Sequence, residues 1–138
     1  EVDVVGPVPR WYPSLPVVLT RFNEPFSKLP RRTTLGLDPE VAVIDAEMRE
    51  LVERRGAHYI SARSILCDAA GCLTRICDRV ETMTQWDVSH LTPAGSDFLV
   101  ARFVRGSSAD MSSVERRNCD AMGPRSDSTS TGRSPGHP

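Results

Sequence analysis

Between Asp38 and Gly56 the chain carries a helix with both of its ends marked. Asp38 offers a carboxylate to the unpaired amides of a first turn, and Pro39 at the next position gives up no hydrogen bond there. Glu40 then sits where the helix dipole favours an anion, and Gly56 supplies the left-handed stop. Val41, Ile44, Met48, Leu51 and Val52 recur at helical spacing and make one apolar face, with Glu47, Arg49, Glu50, Glu53 and Arg54 mostly outside it. Before this helix, Val2-Asp3-Val4-Val5 is a short run closed by the breakers Gly6-Pro7, as expected of a buried parallel strand. After it, Ala57-His58-Tyr59-Ile60-Ser61 predicts the next strand. A helix between two such strands covers one face of their sheet. The expected fold class is therefore α/β, and His58 is expected to be structural.

The rest of the chain is less regular. Ser14 to Phe22 fits either a short helix capped by Ser14 or a strand, since a run this short has no decisive period. Residues 23–37 carry Pro25, Pro30 and Gly36 among Lys28, Arg31 and Arg32, and are expected to form a long surface loop. From Gly106 onward there is no Leu, Ile or aromatic residue, while Ser recurs with Gly and Pro. Such a segment cannot bury enough surface to offset its ordering entropy. Two parts are expected: an ordered domain over 1–105 and a disordered tail over 106–138. Lys and Arg number 17 against 18 Asp and Glu, a net charge of −1, which gives no electrostatic case for nucleic acid. No apolar run approaches the roughly 20 residues of a membrane-spanning helix.

Chemistry concentrates in Asp87-Val88-Ser89-His90, directly followed by Leu91-Thr92-Pro93. Thr92 and Pro93 read as the N-cap and first residue of a further helix, so the turn before it is anchored. Side chains three apart in such a turn lie on one side, roughly 5–6 Å apart at Cβ. There Asp87 can orient an imidazole while His90 keeps its other nitrogen free, the carboxylate and base half of a serine-hydrolase triad. A helix start beside a solvated histidine is the competing account. At the other end, Gly6-Pro7-Val8-Pro9-Arg10-Trp11-Tyr12 leaves the carboxyl end of the first strand, where open α/β sheets bind ligands. Pro7, Arg10 and Trp11 are the candidate substrate-binding residues, with Trp11 or Tyr12 stacking on a sugar ring or else simply covering the sheet edge.

The Asp87-x-x-His90-Leu91 turn leading into a last helix resembles the closing block of the SGNH (GDSL-like) hydrolase superfamily. With Val4-Val5-Gly6-Pro7-Val8-Pro9-Arg10-Trp11 and Leu66-Cys67-Asp68-Ala69-Ala70-Gly71-Cys72-Leu73, it is more narrowly similar to the SGNH domain fused behind membrane acyltransferase-3 proteins that O-acylate bacterial surface glycans. The resemblance spans roughly residues 1–104. It implies a partial three-layer α/β/α sandwich with a parallel sheet, of flavodoxin-like type, with the N-terminal strand–helix units missing. It further implies catalytic roles for His90 and Asp87, a disulfide between Cys67 and Cys72, no cofactor, and an extracytoplasmic setting beside an upstream membrane acyltransferase domain. Acyl donor and glycan acceptor are the implied partners.

The superfamily's Gly-Asp-Ser nucleophile block is absent, and Asn23 and Asn118 stand in the wrong order for its oxyanion hole. The chain accordingly reads as the distal half of a domain. A zinc site from Cys67, Cys72, Cys77 and His58 competes with the disulfide, but four-residue gaps do not match the usual Cys-x-x-Cys knuckle, and no metal is expected. Cys77 is then left unpaired, with Cys119 in the tail. Two functional readings stand: the Asp–His portion of an acyl ester hydrolase or O-acyltransferase, and a truncated or non-catalytic carbohydrate-interaction module without enzymatic activity.

Overall fold

The computed structural model describes residues 2–104 and Cys119. Its parallel element joins β1 (Asp3–Val5) to β3 (His58–Ile60), with Asp3 opposite His58, Val4 opposite Tyr59 and Val5 opposite Ile60. The connection between them contains α1 (Leu15–Thr20), a short β2 (Arg32–Thr33) and α2 (Glu40–Arg54), which packs on β3. After β3 come α3 (Ala62–Leu66), the hairpin of β4 (Cys67–Asp68) and β5 (Gly71–Leu73), and finally α4 (Pro93–Val104). β5 lies between β2 and β4 in an antiparallel three-stranded sheet. The α/β class read from the sequence holds, and no helix among the described residues is long and apolar enough to cross a membrane.

The ends of α2 follow the local chemistry. The Glu40 amide donates to Asp38 Oδ1 at 2.9 Å. At the other end, the Gly56 amide reaches the Glu53 carbonyl and the Ala57 amide reaches Val52, with Gly56 at φ +74°, a Schellman stop. The expected inward face is only partly inward. Val41 is buried, but Ile44 and Leu51 are 38% and 49% exposed, and the residue this helix buries beside Val41 is Asp45. Fifteen residues make a helix about 22 Å long, whereas the three-residue strands of the pair are only about 10 Å long. Much of the apolar flank overhangs the two-stranded sheet. Val2 and Val5 are likewise exposed, so β1 is parallel but not buried as expected.

For Ser14–Phe22 the helix prevails. Pro16 falls in the first turn, where its missing N–H costs nothing, and Leu15, Val18 and Leu19 bury one face. Ser14 occupies the N-cap position without making a side-chain cap. Residues 23–37 lie at the surface as expected, but they are tied down along their length. Leu29 is buried, Phe26–Lys28 forms a 3₁₀ turn, and Arg32 donates to the carbonyls of Leu66 and Gly71 while pairing with Asp68 at 3.0 Å. Arg31 donates to the Ile76 carbonyl. These cations tie a loop to the hairpin rather than facing a ligand.

Two apolar clusters result. Ala62, Leu66, Leu73, Ile76, Cys77, Ala94, Phe98 and Leu99 gather between α3, β5 and α4. Trp11, Leu15, Leu19, Leu29 and Cys72 form the second. The disulfide Cys67–Cys72 joins facing residues of the β4–β5 hairpin, as the resemblance implied. Cys77 is not unpaired: it is bonded to Cys119, which lies partly buried against the first cluster. Both disulfides consume the thiols of the zinc alternative, and among the described residues no group of His, Cys, Asp and Glu is arranged to hold a metal. Apart from Cys119, the expected tail lies outside the described residues.

Candidate functional site

The candidate site is the turn between Gln85 and Leu91, which face each other across an isolated β-bridge. Inside it, Asp87 spends one carboxylate oxygen on the backbone: Oδ1 accepts from the amides of Ser89 (2.8 Å) and His90 (2.7 Å). The other oxygen, Oδ2, lies 2.7 Å from His90 Nδ1. The amides of His90 and then Ser89, aided by the imidazole, hold the Asp87 carboxyl below its ordinary value against a smaller opposing effect of burial. An ionised carboxylate can only accept, so the shared proton belongs on Nδ1. In the neutral imidazole Nε2 is then the lone-pair nitrogen. The His90 side chain is 73% exposed, and no side chain among the described residues hydrogen-bonds Nε2.

Neighbouring elements hold this turn from two sides. Thr92 caps α4 by accepting from the Gly95 amide at 3.0 Å, while its hydroxyl donates to the Met83 carbonyl and its amide to the Thr84 carbonyl. Gly95 is seated against that segment so closely that a Cβ there would fall 2.2 Å from the Thr84 carbonyl oxygen. On the other side, the Trp11 amide donates to the Val88 carbonyl at 2.8 Å and the Leu15 amide to that of Asp87 at 3.3 Å. Gln85 joins the two segments through its side chain. Its Oε1 accepts from Trp11 Nε1 at 2.6 Å and its Nε2 donates to the Pro9 carbonyl at 2.8 Å.

The loop from Gly6 to Trp11 does run from the carboxyl end of β1 to this turn. Trp11 is fully buried and belongs to the second apolar cluster, so it is no stacking surface. Pro7 is half-buried, and Arg10 pairs with Asp38 at 3.3 Å, bracing the loop against the start of α2. At its origin the Gly6 amide bonds the Ile60 carbonyl, and a Cβ on Gly6 would meet the Tyr59 hydroxyl at 1.9 Å. That hydroxyl donates to buried Asp45 at 2.8 Å, as does Ser61. Burial first, then the hydrogen bond and charge of Asp45, push Tyr59 up to about 12 although Arg49 opposes the shift. His58, for which the sequence offered no partner, has Nδ1 2.8 Å from Asp3 Oδ1 on the exposed flank of the parallel pair.

Sequence reasoning missed Gln85, whose partners are 74 and 76 positions away, and also Trp86. Trp86 stands one residue before the motif and is 60% exposed, an aromatic in a turn with no core to enter. That adjacency was the available signal.

A fold with a parallel strand pair, a crossover helix and an Asp–His turn opening the last helix defines an SGNH-type α/β domain. Residues 1–105 match the family model described as "SGNH domain (fused to AT3 domains)", and the chain belongs to that family. Among solved structures it is similar to the periplasmic domain of a lipopolysaccharide acetyltransferase from Salmonella ser. Paratyphi A, with 35% identity and a TM-score of 0.70. The match covers 76% of this chain and 41% of that one, so the chain spans well under half the length of this neighbour. No curated protein matches the chain.

Proposed function

We propose that this chain supplies the base and its carboxylate to an acyl-transfer site acting on a glycan hydroxyl or its ester. The observation that carries the reading is the 2.7 Å contact between His90 Nδ1 and an Asp87 carboxylate held by two backbone amides, with Nε2 open to solvent. In this reading a serine hydroxyl from outside residues 2–104 attacks the acyl carbonyl while Nε2 takes its proton. Asp87 stabilises the resulting imidazolium, and the imidazolium returns the proton to the departing alkoxide. A second round, with the glycan hydroxyl as attacker, completes transfer; water in its place gives hydrolysis. Family membership supports the reading, as does the likeness to a lipopolysaccharide acetyltransferase domain.

The same family points to a membrane acyltransferase domain as the partner that delivers the acyl group. Two disulfides and a periplasmic neighbour support an extracytoplasmic setting. In the longer protein that contains this domain, His90→Ala and Asp87→Asn are expected to lower glycan O-acylation by about 10²–10⁴-fold. The 138-residue chain alone is expected to show no hydrolysis of an aryl acetate. Retained O-acylation in both variants would leave the turn as a helix start beside a solvated histidine and favour a carbohydrate-interaction module.

A further inference from the structure

Of the two aromatics expected to meet a sugar, Trp11 is buried with its N–H committed to Gln85 and Tyr12 is 55% exposed, while Trp86, one residue before the dyad, leaves most of its indole in water. An indole presents on the order of 250 Å², so 60% exposure leaves roughly 150 Å² of it uncovered. A lone exposed apolar residue on a surface is ordinary, but the backbone under Trp86 is part of the site. Its amide donates to the His90 carbonyl at 3.2 Å, and the preceding Gln85 is held by both side-chain bonds and by its bridge to Leu91. The indole thus projects from a fixed backbone, one peptide step of about 3.8 Å from Asp87.

We propose that Trp86 is the stacking surface for a pyranose ring of the acyl acceptor. The inference rests on the acyl-transfer reading, and it names the part of the substrate that the site holds. Substrate must reach Nε2 of His90, so the surface around this turn has to stay open in the working protein whatever covers other faces. An aromatic face is electron-rich, and the axial C–H groups of a pyranose carry the complementary positive edge. The nearest cation on the adjoining loop, Arg10, is already paired with Asp38, which favours a neutral ring over an anionic one. Stacking would set one ring beside the dyad and leave its hydroxyls free to attack.

The test uses the 138-residue chain and neutral oligosaccharides released from lipopolysaccharide by mild acid, with the two indole N–H resonances followed by NMR. The Trp86 resonance is expected to shift saturably while that of Trp11 stays in place, reporting an intact core. Trp86→Ala is expected to weaken binding by roughly 10-fold, and Trp86→Phe to retain part of it. No saturable shift at Trp86, or equal binding by Trp86→Ala with the Trp11 resonance unmoved, overturns the proposal. Its failure is separable from that of the acyl-transfer reading. Oligosaccharide stacking on Trp86 in a protein whose O-acylation ignores His90 sinks the transfer reading alone. O-acylation that needs His90 but has an unchanged KM for glycan in Trp86→Ala sinks the stacking alone.

Discussion

Replacing Gln85 by Met tests whether the loop from β1 and the Asp–His turn are one unit. Gln85 and Trp11 are both fully buried, and the Gln85 amide makes two contacts, at 2.6 Å to Trp11 Nε1 and 2.8 Å to the Pro9 carbonyl. Met has nearly the same volume, so no cavity opens, and the effect isolates the hydrogen bonds. Each interior group left without a partner costs about 1–3 kcal/mol. Two such groups, less the relief of burying a thioether in place of an amide, give a loss of about 3 kcal/mol. For a domain of about 100 residues that is a fall in Tm of roughly 10–15 °C. Calorimetry at neutral pH with the disulfides intact reads it directly.

The companion variant is Trp11→Phe, which leaves Gln85 Oε1 unpaired. In the double variant the facing groups are both apolar, so its cost is expected to fall short of the sum by about 1–2 kcal/mol. A drop below about 2 °C in Gln85→Met would refute the reasoning, as would strict additivity, because either result means that the amide is exchanging with water in the folded state.

Five further outcomes can be checked. Gly95→Ala is expected to destabilise by about 3 kcal/mol in urea unfolding, since the new Cβ meets the Thr84 backbone on a segment fixed by α4's own cap. Gly56→Ala, in open space but at φ +74°, should cost only about 1 kcal/mol. For Asp87 the folded carboxyl lies below the ordinary 3.8, so its contribution to the turn is complete above that value and lost as pH falls through the lower folded one; a carboxyl NMR titration with its midpoint at or above 3.8 contradicts this. Tyr59 works in the opposite direction: raised from 10.0 to about 12, it favours folding fully below pH 10 and loses that contribution as pH climbs to about 12, a loss that Tyr59→Phe should remove from an alkaline unfolding curve. Non-reducing peptide mapping should recover Cys67–Cys72 and Cys77–Cys119, and on chain-entropy grounds their separations of 5 and 42 residues make the second worth about 4 kcal/mol against about 2 for the first.

What the sequence made legible was decided within a few positions of each residue. Asp38 and Thr92 accept from amides two and three places on, the Gly56 amide donates to a carbonyl three places back, and the Asp87–His90 contact closes inside one turn, so residue type and spacing specify the geometry. Periodicity was a weaker guide because it says which residues share a face and nothing about what covers that face. Val41 and Ile44 belong to one pattern, yet one is buried and the other is 38% exposed over a sheet of two strands. The errors came from long-range partners. Arg32 pairs with a hairpin 36 positions on, Cys77 with a residue in a stretch of disorder-like composition, and Trp11 with an amide 74 residues away. The same separation explains why Trp11 departs from its expected role. A loop leaving the carboxyl end of a strand suggests a ligand wall, but Trp11 is drawn inward because Gln85 waits there to take its N–H. Trp86 points out because its own segment is already paired on both sides, through Gln85 to the first loop and through its amide to His90. Whether an aromatic at this site faces core or substrate is therefore set by Gln85, and removing that amide should loosen Trp11 and the dyad together.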